Sequence, residues 1–208
     1  MRKTKILVTG HWGFLGRHLM TELQKRPDYK LFVHEKHSGT WRKNLNVEGI
    51  IHLAAVSRVV DAERDPVEAV KTNILLTAKC VELRPKWMIL ASTIEEPHNV
   101  YGFTKRAAES YAELMCISYG IRLIILRLAN VYGPGDNEDR LMPRLARGEE
   151  LHVLETLFPF KYVRVDEVVS EILRDVPPTR RGTYEIFTGY ASNTEELRSV
   201  ATGNPKPS

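Results

Sequence analysis

The chain has only two cysteines in 208 residues, no long apolar run and little excess of either charge. Cys80 and Cys116 fall inside helical patterns with no Cys-x-x-Cys pair and no histidine-rich neighbour, which argues against a disulfide framework or a metal site and predicts buried, reduced thiols. No stretch approaches the length of a membrane span, and a strand pattern begins within a few residues of Met1. The expectation is therefore a cytoplasmic protein with no signal peptide and no membrane partner. The net charge is +4, and the basic pairs Arg2-Lys3, Arg42-Lys43 and Arg180-Arg181 are scattered without aromatic interleaving, which argues against a nucleic-acid partner. There is no internal repeat and no low-complexity linker. What remains, 43% hydrophobic and 27% charged residues, is the composition of one globular domain or of one domain with a small appendage.

Among the residues present, KILVTGHWGFLG at 5–16 is the most informative. Ile6, Leu7 and Val8 run straight into Gly10, Gly13 and Gly16, and an amphipathic helix pattern follows. A strand turning tightly into a helix leaves the first-turn N–H groups unpartnered at the positive end of the helix dipole, a place that attracts a pyrophosphate. Gly10 permits the turn, Gly13 lets a phosphate approach the backbone, and Gly16 lets the helix pack on the strand. Trp12, Phe14 and Leu15, together with His11, are expected beside the same ligand. A glycine-rich turn without a ligand is the alternative, and the flanking strand and helix favour the dinucleotide site.

Strands and helices alternate along the chain. Strands are predicted at about 4–9, 30–34, 49–55, 87–92 and 121–129, with helices from Gly13 to about Lys25, from Asp65-Pro66 onward and over Val100–Tyr119. This alternation predicts an α/β fold: a Rossmann-like, doubly wound parallel sheet covered on both faces. Residues 1–130 are expected to form the dinucleotide-binding domain. Residues 131–208 are expected to form a reduced substrate-binding appendage partly interleaved with it, holding a short helix over 138–147, strands at FKYVRV and TYEIFTG and a last helix starting at Asn193 or Thr194 with Glu196 as its capping partner. The tail GNPKPS reads as disordered.

Tyr101 and Lys105 form a Tyr-x-x-x-Lys pair whose i,i+4 spacing stacks both side chains on one helix face. A free tyrosine, with a pKa of about 10, is a poor acid–base group at neutral pH, and a neighbouring ammonium brings it toward the working range. Ser92 and Thr93, at the carboxyl end of the preceding strand, are placed to offer a hydroxyl to the tyrosine, at the end of an open parallel sheet where ligands bind.

The order of these features resembles the extended short-chain dehydrogenases/reductases, the NAD-dependent nucleotide-sugar epimerases, dehydratases and reductases. The resemblance rests on Gly10-Gly13-Gly16 after VT, HLAA at 52–55, Asn73 in VKTNILLTAK, Ser92-Thr93, VYGFTK around Tyr101 and Lys105, and LRLANVYGPG at 126–135; VRVDEVV (163–169) and TYEIFTG (183–189) look like the later strands. It implies that Tyr101 is the acid–base residue, that Lys105 holds the nicotinamide ribose and lowers the tyrosine's pKa, and that Thr93 shares the hydrogen bond to the reacting oxygen. It also implies that Leu53, Ala54 and Ala55 line the cofactor, that Ser57, Ser92, Glu95 and Asn130 face the substrate, and that a homodimer forms through the Tyr101 helix and the 65–82 helix. Cofactor choice is read at HEKH (34–37): Glu35 suits the ribose hydroxyls of NAD, whereas His34, Lys36, His37 and Arg42 suit the phosphate of NADP; the reading favours NAD.

The chain also departs from the family pattern. It is short, and between Glu35 and Gly49 there is hardly room for another strand and helix, so the second strand is expected at a sheet edge. Seven residues separate Thr93 from Tyr101, a gap that an extended chain bridges over roughly 20 Å, and they predict a more open pocket. Ile94 stands where sugar dehydratases carry an acid, which favours epimerisation or carbonyl reduction over dehydration, and leaves Glu95 and Glu96 as a polar loop. Phe160 stands where relatives often place an arginine for the substrate's pyrophosphate, with Lys161, Arg164 or Arg144 as substitutes. Two further readings remain: a non-catalytic dinucleotide-binding sensor or scaffold, and a reductase of a non-sugar carbonyl.

Overall fold

The computed structural model describes residues 2–34, 41, 44–150 and 159–203. β1 (Thr4–Thr9) turns into α1 (Phe14–Leu23), and β2 (Tyr29–His34) returns parallel to β1. After β3 (Gly49–His52) come a short α2 (Val59–Arg64), then α3 (Pro66–Ala69), a π-helical stretch Val70–Leu75 and α4 (Leu76–Glu82). β4 (Trp87–Thr93), α5 (Val100–Ser118) and β5 (Arg122–Leu128) complete the alternating part. They are followed by β6 (Asn130–Tyr132), α6 (Leu141–Ala146), β7 (Phe160–Arg164), α7 (Val165–Arg174), β8 (Gly182–Ile186), β9 (Gly189–Ala191) and α8 (Thr194–Ala201).

Six strands form one parallel sheet in the order β2-β1-β3-β4-β5-β8, a Rossmann-like α/β architecture. The order reverses at β1, and the carboxyl ends of β1, β3 and β4 open onto one groove, where such sheets bind ligands. A small second sheet, β6-β7-β9, stands beside it, and the late strand β8 returns to the main sheet.

Successive residues of each inner strand feed opposite faces. Ile6, Val8, Ile51 and Ile89 pack with Leu19 and Leu23 of α1 and Val168 and Ile172 of α7. On the other face Leu7, Ile50, Met88 and Leu90 pack with Cys80 and Val81 of α4 and Ala112 and Cys116 of α5. This double burial is why the inner strands read as continuous apolar runs. Both cysteines are buried and free. A third, smaller core gathers Met142, Leu145, Phe160, Leu197 and Val200, so Phe160, the residue in the place of the expected arginine, is a packing residue.

β2 lies at the sheet edge, as the short 35–48 interval requires. Two expectations are corrected. The strand expected over 49–55 ends at His52, because the chain must peel away there to make room for the glycine loop: a Cβ at Gly10 would lie 2.6 Å from the amide nitrogen of Ala54. VRVDEVV is a strand only to Arg164. Val165, Val168, Val169 and Ile172 are buried along one face of α7, whose spacing is helical, and Glu167 accepts from the Arg164 amide at 3.2 Å to cap its start. The final helix begins at Thr194 with Asn193 as its cap, and Glu196 closes the turn on the Ser192 amide at 2.7 Å. Of the expected disordered tail, 204–208 lie outside the described residues.

At the carboxyl ends of β1 and β3 a polar cluster is buried. Thr9 Oγ1 lies 2.6 Å from His52 Nδ1, and His52 Nε2 lies 2.9 Å from Thr77 Oγ1. Burial, with Lys105 and His34 nearby, lowers the His52 pKa from 6.5 to about 3, so it stays neutral in the fold. A depressed folded pKa stabilises above the unfolded value and is lost as pH falls below it. Between pH 7 and 5 the native protein should therefore lose about 2 kcal/mol through this residue. Urea unfolding at both pH values should show that loss, and His52→Gln should reduce the difference by that amount; an unchanged difference would contradict the assignment.

Candidate active site

The glycine loop is shaped by two close approaches. Gly10 has φ +74° and touches the chain after β3, and a Cβ on Gly16 would lie 2.1 Å from the Gly10 carbonyl oxygen. Gly13 is different: it is exposed, its added Cβ would meet only the Gly10 oxygen at 3.2 Å, and no side chain caps α1. The first-turn amides of α1 are thus left for a ligand beside an open backbone cradle. His11 Nδ1 is buried with no hydrogen-bond partner among the described residues, and Trp12 is 75% exposed at the same loop. A pyrophosphate-bearing dinucleotide fits this donor set.

The groove has a volume of about 1220 Å³. Of the residues singled out in the sequence, Gly10, Trp12, Gly13, Phe14, Leu15, Gly16, Leu53, Ala54, Ala55, Ser57, Ser92, Thr93, Glu95, Tyr101, Lys105 and Asn130 all line it. Glu35, Lys36, His37 and Arg42 lie outside the described residues.

Thr93 ends β4, and Tyr101 lies in the first turn of α5, which Asn99 caps by accepting from the Gly102 amide at 2.8 Å. A Cβ at Gly102 would lie 2.2 Å from the Glu96 carbonyl oxygen, so the short 94–99 loop lies flat against the helix and brings phenol and hydroxyl together. Tyr101 and Thr93 line the groove together, and the Thr93 hydroxyl accepts from the Glu95 amide at 3.1 Å. Burial raises the phenol's pKa above its ordinary value, while Thr93 and the nearby Arg140 charge act to lower it and Glu95 to raise it. The balance keeps Tyr101 protonated at neutral pH.

Lys105 is buried one turn further along, donating from Nζ to the Ala91 carbonyl at 2.7 Å. Burial lowers its pKa to about 8, opposed by the Glu109 carboxylate. Ser92 turns the other way and donates its hydroxyl to Glu109. Glu109 also accepts from Arg127 Nη2 at 2.6 Å and Arg106 Nη1 at 3.0 Å, so one buried carboxylate ties α5 to β4 and β5.

The remaining singled-out residues sit on the groove rim. Ser57 accepts from Arg140 Nη2 at 3.0 Å, Glu95 accepts from Asn99 Nδ2 at 3.0 Å, and Asn130 donates to the Lys161 carbonyl at 3.1 Å. Of the three cations offered as substitutes for the missing arginine, Lys161 lines the groove. Arg144 is held by Glu149 at 2.7 Å, and Arg164 by Asp166 at 3.0 Å. Arg140 was not singled out in the sequence, where it fell inside the short helix expected over 138–147. The helix begins only at Leu141, and the fold carries the Arg140 guanidinium toward Tyr101 and Ser57, with Asp136 3.6 Å from its Nε. Glu109 has a weak sequence signal, an acid one turn after Lys105 on the core-facing side.

Removing the charge of Glu109 leaves two guanidinium groups without their carboxylate. Both are partly exposed, which discounts the penalty of breaking a buried pair. Glu109→Gln should destabilise by about 2 kcal/mol in urea unfolding, and a neutral result would remove it as the anchor of α5.

The family model described as the NAD dependent epimerase/dehydratase family matches residues 6–170. The chain is 33% identical over 137 residues to the UDP-2-acetamido-2,6-beta-L-arabino-hexul-4-ose reductase of Pseudomonas aeruginosa, covering 62% of this chain and 36% of that one. It is 27% identical over 172 residues to a putative UDP-glucose 4-epimerase of Methanocaldococcus jannaschii, covering 62% of this chain and 56% of that one. The chain thus spans between about a third and just over half of the length of these two relatives. Among solved structures, the UDP-glucose 4-epimerase of Thermotoga maritima with UDP-glucose superposes with a TM-score of 0.75 at 27% identity, over 98% of this chain and 84% of that one. With the fold, the glycine loop and most of the chain matched together, this protein belongs to the NAD-dependent epimerase/dehydratase family.

Proposed function

We propose that this chain is an NAD(P)-dependent enzyme that modifies a nucleotide-linked sugar by hydride transfer, with Tyr101 as the proton-transferring group. The observation that carries the reading is that Tyr101, Thr93 and Lys105 line together the groove that begins at the open glycine loop. The loop amides and Leu53, Ala54 and Ala55 would hold the dinucleotide, with Lys105 beside its nicotinamide end. The nicotinamide supplies the hydride chemistry when bound.

This chain's own residues handle the proton. A carbonyl being reduced gains a hydride at carbon and needs a proton at oxygen, and Tyr101, kept protonated by its burial, supplies it. The Thr93 hydroxyl is placed to hold the same oxygen, and the Arg140 charge stabilises the phenolate that is left. Carbonyl reduction, alone or as one half of an epimerisation, is the step we assign to this arrangement. Dehydration has less support, because Ile94 is apolar and Glu95 is engaged with Asn99. Of the cations that line the groove, Lys161 and Arg140 are the ones we assign to a substrate's phosphates.

The reading includes a second copy of the chain. Phe103, Leu114 and Ile117 on α5, with Val67, Val70 and Leu75 on the neighbouring helical run, form an exposed apolar face, while Ala108, Ala112 and Cys116 turn to the core. Sedimentation should give a dimer that Leu114→Lys with Ile117→Lys converts to monomer.

The test of activity begins with nucleotide released on denaturing the purified protein, then titration of stripped protein with NADH and NADPH. Tyr101→Phe should lower turnover of a nucleotide-sugar by at least about 100-fold while still binding dinucleotide. Unchanged turnover would overturn the role of the phenol. Binding without turnover of nucleotide-sugars or simpler carbonyls would point to a sensor, and failure to bind either dinucleotide would overturn the whole reading.

A further inference from the structure

Tyr101 lies in the first turn of α5, where a helix is held least, because the amides there have no carbonyl one turn behind them. Two side chains supply what is missing. Asn99 takes the Gly102 amide from the adjoining loop. The Val100 amide, one residue before Tyr101, is taken by Glu63, 37 residues earlier in the chain, whose Oε1 accepts it at 2.8 Å. A carboxylate suits the place, since the first turn is also the positive end of the α5 dipole.

Glu63 belongs to α2, and α2 forms part of the groove wall. Val59 and Val60 at its start line the groove, as does Ser57 just before it, which is joined to Arg140. Ala62, next to Glu63, is completely buried and seats the helix on the fold. The basic residues of this segment are engaged elsewhere: Arg58 and Arg64 both pair with Asp61, at 3.8 and 2.9 Å.

The Glu63–Val100 bond is exposed, so water competes for both partners and little global stability depends on it. Its geometric effect is larger. Thr104 holds the Tyr101 carbonyl from within α5, whereas Glu63 ties the same turn to a separate helix that faces the substrate groove. A misplacement of about 1 Å at a reacting group costs on the order of 100-fold in rate.

We infer that Glu63 is a positioning residue: by accepting the Val100 amide it sets the Tyr101 phenol against the groove wall formed by α2. The inference deepens the proposed function and rests on its reading of Tyr101 as the proton-transferring group.

Two variants of the full chain separate the hydrogen bond from the charge. Glu63→Ala removes the acceptor, whereas Glu63→Gln removes the charge and keeps an oxygen for the amide. The Val100 amide should exchange with solvent at least about tenfold faster in Glu63→Ala and stay within about threefold of the unsubstituted chain in Glu63→Gln. The phenol should follow. Burial is the largest influence holding its pKa up, and Thr93, Arg140 and Glu95 are the other groups that act on it. A loosened first turn admits water, so Glu63→Ala should raise the phenol's acid dissociation constant at least about threefold, and Glu63→Gln should leave it in place. The titration is read from the ring-carbon resonance of isotope-labelled tyrosine, assigned with Tyr101→Phe. Where the unsubstituted chain turns over a nucleotide-sugar, Glu63→Ala should lower kcat about tenfold at unchanged KM.

A residue that served stability alone would lower the urea midpoint of Glu63→Ala and leave the phenol titration where it was, which overturns the inference. An unchanged Val100 amide overturns it too, as does an equal shift of the phenol in both variants, the mark of a charge effect. A phenol that moves in Glu63→Ala alone, in a chain that turns over no nucleotide-sugar, upholds the positioning role and counts against the proposed reaction instead.

Discussion

The neutral His52 ring gives its one proton from Nε2 to Thr77, so its Nδ1 accepts the proton of the Thr9 hydroxyl. The Thr9 oxygen in turn accepts the amide of Ala54, at the head of a buried chain. Thr77 donates to the Asn73 carbonyl at 2.7 Å, so its oxygen receives the His52 Nε2 proton. Asn73 gives one amide proton to the Val56 carbonyl and the other to Thr104 at 2.9 Å, and Thr104 donates to the carbonyl of Tyr101 at 3.0 Å. Each hydroxyl has a single proton and each is used, so the chain has one consistent arrangement. It starts where the glycine loop leaves β1 and ends on the backbone of the tyrosine. The halves of the site are held in register by side chains that do not line the groove.

A second restraint lies deeper. Lys105 reaches back to Ala91, and Glu109 gathers Ser92, Arg106 and Arg127, so two successive turns of α5 are fixed to two successive residues of β4. The helix is thereby held along its axis as well as in rotation, and Tyr101 keeps its place beside Thr93. Burial sets the proton state of this machinery more than any single charge: it raises the phenol, lowers the lysine and leaves His52 uncharged. The cation that acts on the phenol in the unliganded chain is Arg140, from a loop some forty residues further on.

Much of this was legible in the residues. Periodicity placed β1, β4, α1 and α5 to within a residue or two, because those elements are long, buried and free of conflicting signals. The glycine triad and the Tyr-x-x-x-Lys pair were visible because each demands particular residues at fixed local spacing. The errors came where a local pattern allowed two answers. Val165, Val168 and Val169 are β-branched and suggest a strand, but the face they bury against α1 is helical in spacing. His52 ends its strand early because the glycine loop needs the space, a demand from a segment forty residues away.

By itself the sequence determined the alternation of elements, the parallel sheet, the glycine loop and the Tyr101–Lys105 pairing on one helix face, since all of these follow from neighbours within a turn or a strand. Only the tertiary structure decided that Ser92 serves Glu109 while Thr93 serves Tyr101, that Phe160 packs a second core, and that Arg140 and Lys161, rather than Arg144 or Arg164, line the groove. The physical reason is the same in each case. A polar side chain's role depends on which charges and carbonyls surround it once water is gone, and those come from strands, helices and loops far apart in the chain.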